Sequence, residues 1–239
     1  MPSLVGSEMC IRDRYAQSKN FDAGAVSDKD IQKLSKKVLK LAVDGLDIAL
    51  FGRMVAQAPE LNVQAASSFS HAISTHAVNN EIEFFTALDD LDTAAGHLDN
   101  LEFSSATYYR YVSLDLGQLY ESLQGEDLPK SVEAFTKALF LAIPVARQST
   151  MSGACGWDYA KVLVRTGQRV QLSFDKPVRA KDGFLEPSIA ALKSDLEKKE
   201  KLFGSLFGKK MEFEVGGKDN EGIDELLEAL SKTIGDING

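Results

Sequence analysis

Apolar residues recur at helical spacing in four stretches of the chain and show a strand pattern in five others. Ile31, Leu34, Val38 and Leu41 step by three and four, with Lys33, Lys36, Lys37 and Lys40 on the opposite side. Ser27-Asp28-Lys29-Asp30 ahead of them carries a capping oxygen and an acid three residues on, so an amphipathic helix is predicted from there to Gly45. Leu128, Val132, Phe135, Leu139 and Ala142 form a second stripe ended by Pro144. Ile189, Leu192 and Leu196 form a third behind Pro187, which suits a first helical turn. Ile223, Leu226, Leu227, Leu230 and Ile234 form the last. Strand periodicity appears at Leu46, Ile48 and Leu50, closed by Gly52-Arg53-Met54. Ala106–Leu116 is rich in aromatic and branched residues and predicts the strongest strand. Val162–Val164 and Arg169–Phe174 predict a hairpin about Thr166-Gly167, and Met211–Val215 a short strand.

Residues 55 to about 100 carry no sustained period, with helical fragments expected around Ala65–Ala77. Long irregular segments in compact domains are usually functional loops or disordered inserts. Ile82, Phe84, Phe85, Leu88 and Leu91 are too apolar for a free tail, so a functional loop is expected. The resulting mixed order of elements predicts an α+β fold, with helices packed on a mainly antiparallel sheet. The first 14 residues, MPSLVGSEMCIRDR, fit no part of this pattern. They lack the apolar core of a secretory signal and resemble a translated sequencing adapter. The natural chain is expected to enter near Tyr15.

Composition narrows the function. The chain has 239 residues, 44% of them hydrophobic, and no run approaches the ~18 apolar residues of a spanning helix. Its 27 basic and 35 acidic residues give a formal charge of −8, which speaks against a generic nucleic-acid coat. Two cysteines, Cys10 and Cys155, supply neither a disulfide framework nor a cysteine zinc site, and a reducing cytoplasm follows. The charge is uneven, however. Between Val145 and Lys181 seven basic residues, among them Arg147, Lys161, Arg165 and Arg169, face two acids. Such a strip either contacts phosphate or is an ordinary solvated hairpin.

Catalytic patterns are missing. His71 and His76 lack the i, i+4 spacing of paired helical ligands. The serines lack a nucleophile elbow, and Cys155 reads as a small buried residue. No metal site or cofactor is expected. Tyr108, Tyr109 and Tyr111 read as core packing or as a base-stacking platform, with Tyr109 and Tyr111 on one face.

Five separated motifs, DIALFGRM (47–54), HAISTH (71–76), EFFTALDDL (83–91), EFSSATYYRY (102–111) and KDGFLEPS (181–188), together resemble the CasC family. Its members are the backbone subunits of Cascade, the type I-E CRISPR surveillance complex. The resemblance implies an RRM-like (ferredoxin-like) palm, a helical finger domain and a long thumb-like loop. It also implies a protein without catalytic activity. Copies would stack head to tail along CRISPR RNA, kink it with the thumb and present it to target DNA, beside other Cascade subunits. Phe84, Phe85, Thr86 and Leu88 match the thumb residues that wedge into the RNA–DNA duplex. Met54 matches a methionine that packs on a displaced base, and Phe84 stands where the family often has tryptophan. Arg147 and Gln148 are expected near the RNA backbone, and Arg165 and Arg169 belong to the same basic strip.

The family's palm begins with a strand and a basic, glycine-containing segment upstream of anything matched here, which implies N-terminal truncation. The implied organisation is an artefactual 1–14, a finger remnant at 15–45, a palm at 46–192 with the thumb at about 55–100, and a tail at 193–239. Two other readings stay open on the residues alone. One is a metal-dependent nuclease built on Asp89, Asp90 and His97, the other a free-standing RRM-type RNA-binding module.

Overall fold

A computed structural model describes residues 45–56, 59–86, 98–125, 127–142, 155–216 and 222–238. The predicted helix at 27–45 and the finger remnant lie outside the described residues. Two compact units are formed, Met1–Ser68 with Leu114–Ser131 and Phe69–Ser113 with Val132–Gly239.

In the first unit Leu46–Phe51 is a helix, α1, where the alternation predicts a strand. Ala49 and Leu50 are neighbours in sequence and both are buried. A strand would send them to opposite faces, whereas a helix packed into its surroundings can bury both. Gly52 ends α1 at φ 77, where a Cβ would stand 2.9 Å from the Val63 carbonyl. Arg53 then exchanges backbone hydrogen bonds with Val63, and its Nε donates to the Leu61 carbonyl at 2.8 Å. Helix α2 (Leu116–Ser122) begins at Asp115, whose Oδ1 accepts the Gln118 N–H at 3.0 Å. This satisfies a donor that the helix itself leaves unpaired. Leu119 of α2 is fully buried.

Helix α3 (Leu128–Leu141) follows its predicted stripe and buries Leu128, Val132 and Phe135. The strands are β1 (Ser67–Phe69), β2 (Ile73–Ser74), β3 (Glu81–Thr86), β4 (Leu98–Phe103), β5 (Tyr108–Tyr109), β6 (Val112–Leu114), β7 (Ala160–Arg165) and β8 (Lys209–Val215). They pair two by two, as β1 with β6, β2 with β5, β3 with β4 and β7 with β8. The helical fragments expected at Ala65–Ala77 are therefore replaced by β1 and β2. The long strand expected at Ala106–Leu116 divides into β5 and β6. Between them the Ser70 N–H donates to the Tyr111 carbonyl and the Tyr111 N–H to Ser70 Oγ.

The expected hairpin between 162–164 and 169–174 does not form. β7 pairs antiparallel with β8, matching Val162 to Phe213 and Val164 to Met211. Residues 168–172 are instead held by side chains. Tyr111 Oη accepts the Val170 N–H and Tyr109 Oη the Leu172 N–H, each at 3.3 Å. Tyr109 and Tyr111 thus share a face, as the sequence predicts, and that face is packing. Helix α4 (Leu185–Phe203) carries Pro187 in its first turn, and Leu196 joins Leu172 and Phe207 in a core with Leu163, Leu192 and Tyr109 around it. Helix α5 (Ile223–Asn238) buries Leu226, Leu230 and Ile234 of its predicted stripe. The observed architecture is α+β with small antiparallel pairs. Among the described residues no helix is long and apolar enough to cross a membrane.

Candidate nucleic-acid interface

The irregular stretch of the sequence contains a hairpin. β3 and β4 run antiparallel in unbroken register, Glu81 opposite Phe103, Phe84 opposite Asn100 and Phe85 opposite Asp99. Alternation along a strand puts neighbours on opposite faces, so Phe84 and Phe85 point to the two sides of the ribbon. Both are exposed, Phe84 at 71% and Phe85 at 45%. A two-stranded ribbon buries little, because neither face has a covering layer. The described arms carry Glu81, Glu83, Asp99 and Glu102 and no basic residue. Phosphate would be repelled by that set. What the hairpin offers a nucleic acid is its apolar side chains. Thr86 ends β3, and Leu88 lies outside the described residues.

Three motifs meet at the base of the hairpin. His76 stacks on Phe184 with ring centroids 3.8 Å apart and planes 15° apart. Its Nδ1 donates to the Ala77 carbonyl at 2.9 Å, and its Nε2 accepts the Thr107 N–H at 3.2 Å. A carbonyl only accepts and an amide N–H only donates, so the ring is the Nδ1-protonated tautomer. The Thr75 N–H donates to the Thr107 carbonyl at 2.9 Å, and the Val178 N–H to the Thr75 carbonyl at 2.8 Å. Ser188 Oγ donates to the Phe184 carbonyl at 2.6 Å and lies 2.7 Å from Thr75 Oγ1. The sequence marks HAISTH, EFSSATYYRY and KDGFLEPS as motifs without giving them a task; their side chains build this junction.

The other site residues fall elsewhere. Met54 follows α1 in the first unit and is 85% exposed. Arg147 and Gln148 lie outside the described residues, as do Asp89, Asp90 and His97. Arg165 commits its Nε to the Phe207 carbonyl at 2.9 Å and Nη1 to the Gln168 carbonyl at 2.6 Å, with its guanidinium 4.4 Å from the Phe207 ring centroid. Arg169 is exposed. Cys155, expected to be buried, is exposed, and the Cβ direction of its neighbour Gly156 meets open space. Among the described residues no group of three His, Cys, Asp or Glu side chains could hold a metal ion.

One cation of the basic strip, Lys161, is matched from β8, where it joins Lys193 and Lys209 in a network of ion pairs. Lys161 bonds to Glu212 and, at 2.6 Å, to Glu214, while Lys193 reaches Glu214 at 2.5 Å. Lys209 bridges Glu200 at 2.6 Å and Glu212 at 2.8 Å. The hydrogen bonds from Lys161 and Lys209 hold the Glu212 carboxyl below its ordinary range. For Glu214 partial burial opposes ionisation, but Lys161 and Lys193 together outweigh it and lower the carboxyl too. Burial, and then the neighbouring Glu214 charge, raises the Tyr159 phenol. Of the cations that read as a phosphate strip in sequence, Lys161 belongs to a structural ion-pair network.

The fold has solved counterparts. One chain of a "CRISPR RNA-guided surveillance complex, pre-nicking" is similar at 24% identity and a TM-score of 0.64, over 76% of this chain and 56% of that one. A chain of a "CRISPR RNA-guided surveillance complex" is similar at 22% identity and a TM-score of 0.64, over 83% and 81%. This chain therefore spans little more than half of the first. No curated protein matches. The family model described as CT1975-like protein matches residues 7–235. The chain accordingly belongs to the CT1975-like family, the CasC-type family to which its five motifs point.

Proposed function

We propose that this chain is a CRISPR RNA-binding backbone subunit of a Cascade-type surveillance complex of type I-E. Copies stack head to tail along the guide, and the β3–β4 hairpin acts as the thumb that kinks the RNA where it pairs with target DNA. The palm is RRM-like and carries the hairpin as an insertion. The subunit performs no chemistry of its own, and it works in the cytoplasm.

The observation that carries this reading is the pair Phe84 and Phe85, exposed on opposite faces of a ribbon whose described charges are all acidic. An acidic ribbon gains nothing from phosphates and is useful to a nucleic acid only through base contacts. An inserted apolar side chain unstacks a step at a cost of a few kcal/mol, and aromatic stacking returns about 1–3 kcal/mol per base without regard to sequence. A subunit that carries any guide requires that indifference. Met54 supports a displaced base, and Thr86 and Leu88 continue the wedge. Arg147, Arg165 and Arg169 neutralise phosphates of the RNA backbone, and Gln148 hydrogen-bonds to it.

The test is purification of the chain from cells that also express a repeat array and the neighbouring complex subunits. Small RNA of uniform length should accompany it. Filaments free of nucleic acid would contradict the reading.

A further inference from the structure

The hairpin projects beyond a ladder that has already ended. β2 and β5 pair Ile73 with Tyr109 and Ser74 with Tyr108, and the last backbone bond toward the hairpin runs from the Thr75 N–H to the Thr107 carbonyl. Ordered pairing resumes at Glu81 and Phe103. The intervening segments, 77–80 and 104–106, are unequal in length and form no strand. An isolated two-stranded ribbon is marginal in water. Its direction therefore depends on what fixes these two leads.

We propose that His76 is the positioning residue that fixes this base and so aims Phe84 and Phe85. Its ring takes the place of the missing backbone acceptor. Nε2 receives the Thr107 N–H on the returning lead, and Nδ1–H holds the Ala77 carbonyl on the outgoing one. One side chain thus ties both leads together. Phe184 then clamps the ring flat, and Phe184 is itself seated at the start of α4 by the Ser188 hydroxyl. The aim of the hairpin is set by a single imidazole tautomer stacked on a helix terminus, with no further strand pairing. The consequence for nucleic acid rests on the proposed role of the hairpin; the clamp itself does not.

Two variants and one measurement on the unaltered protein test it. His76→Phe keeps a ring for the stack and loses the acceptor. His76→Gln keeps an acceptor on a side chain of similar reach and loses the ring. In the full chain, amide exchange at Thr107 and along β3 and β4 should speed up about tenfold in His76→Phe, the factor one ordinary hydrogen bond supplies. It should stay closer to the parent in His76→Gln, and α5 should keep its protection in both. Nitrogen-15 spectra of the parent imidazole should show Nδ1 protonated and Nε2 bare. A protonated Nε2, unchanged exchange in His76→Phe, or faster exchange spread equally through α5 would each overturn the assignment. In complexes that hold RNA, His76→Phe should keep the guide and bind target DNA about tenfold less tightly, the same factor. A parent protein that holds no RNA would remove the proposed function and leave the exchange result standing.

Discussion

Thr75 Oγ1 and Ser188 Oγ lie 2.7 Å apart across 113 residues of sequence. Each hydroxyl also faces a backbone carbonyl, Ser188 Oγ that of Phe184 at 2.6 Å and Thr75 Oγ1 that of Thr107 at 3.3 Å, so two protons serve three contacts. Both side chains are buried, where an unpaired hydroxyl is costly. Thr75→Val and Ser188→Ala should each destabilise the protein by about 1–2 kcal/mol. The double variant should lose less than the sum, with a coupling of about 1 kcal/mol in a urea-unfolding cycle. Strict additivity would mean that the two hydroxyls do not act together.

Gly208 closes the turn into β8 at φ 61, and a Cβ there would stand 2.2 Å from the Thr166 carbonyl oxygen. Thr166 N–H also donates to the Gly208 carbonyl at 2.9 Å, so the backbone has little freedom to withdraw. Gly208→Ala should cost about 1–3 kcal/mol from conformation alone and lower the thermal midpoint by several degrees. Gly204→Ala is the control: φ is also positive there, but the Cβ meets open space, so its loss should be smaller.

Lys161 draws Glu212 and Glu214 to one point between β7 and β8. Both carboxyls are lowered in the folded protein, so the unfolded chain binds more protons through the acid range. Their contribution is complete above the ordinary carboxylate value of 4.5 and is lost as pH falls through the folded values. Lys161→Met should destabilise at neutral pH by about 1–3 kcal/mol and flatten the acid limb of stability against pH. Unfolding midpoints measured from pH 7 down to pH 3 check this. An acid limb as steep as the parent's would remove the network from the explanation.

Helices α3, α4 and α5 were legible because each packs one stripe inward: Val132 and Phe135, Leu192 and Leu196, and Leu226, Leu230 and Ile234 all fall where their spacing puts them, whereas α2, whose stripe is only seven residues long, was not expected. Leu46–Phe51 misleads because six residues fit either period, and only the joint burial of Ala49 and Leu50 decides for helix. The partner of β7 was misassigned because a local turn at Thr166-Gly167 is visible in sequence, whereas pairing with β8, more than forty residues on, is not. Charge misled in the same way. Lys161 and Arg165 look unopposed in their own segment, but their partners lie at Glu212, Glu214 and the Phe207 carbonyl. Of the candidate interface, Phe84 and Phe85 stand out in the sequence through their motif. The His76 junction was not, since it joins residues from three motifs that only the fold brings together.

The direct test of the wedge separates the two nucleic acids. Complexes carrying Phe84→Ala with Phe85→Ala should retain guide RNA at near parental affinity and bind matched target DNA at least tenfold more weakly, the loss expected from one or two stacking contacts. Because the two rings face opposite sides of the ribbon, each single variant should lose part of that factor. Equal weakening of RNA and DNA, or DNA binding unchanged in the double variant, would contradict a hairpin that acts on the paired heteroduplex.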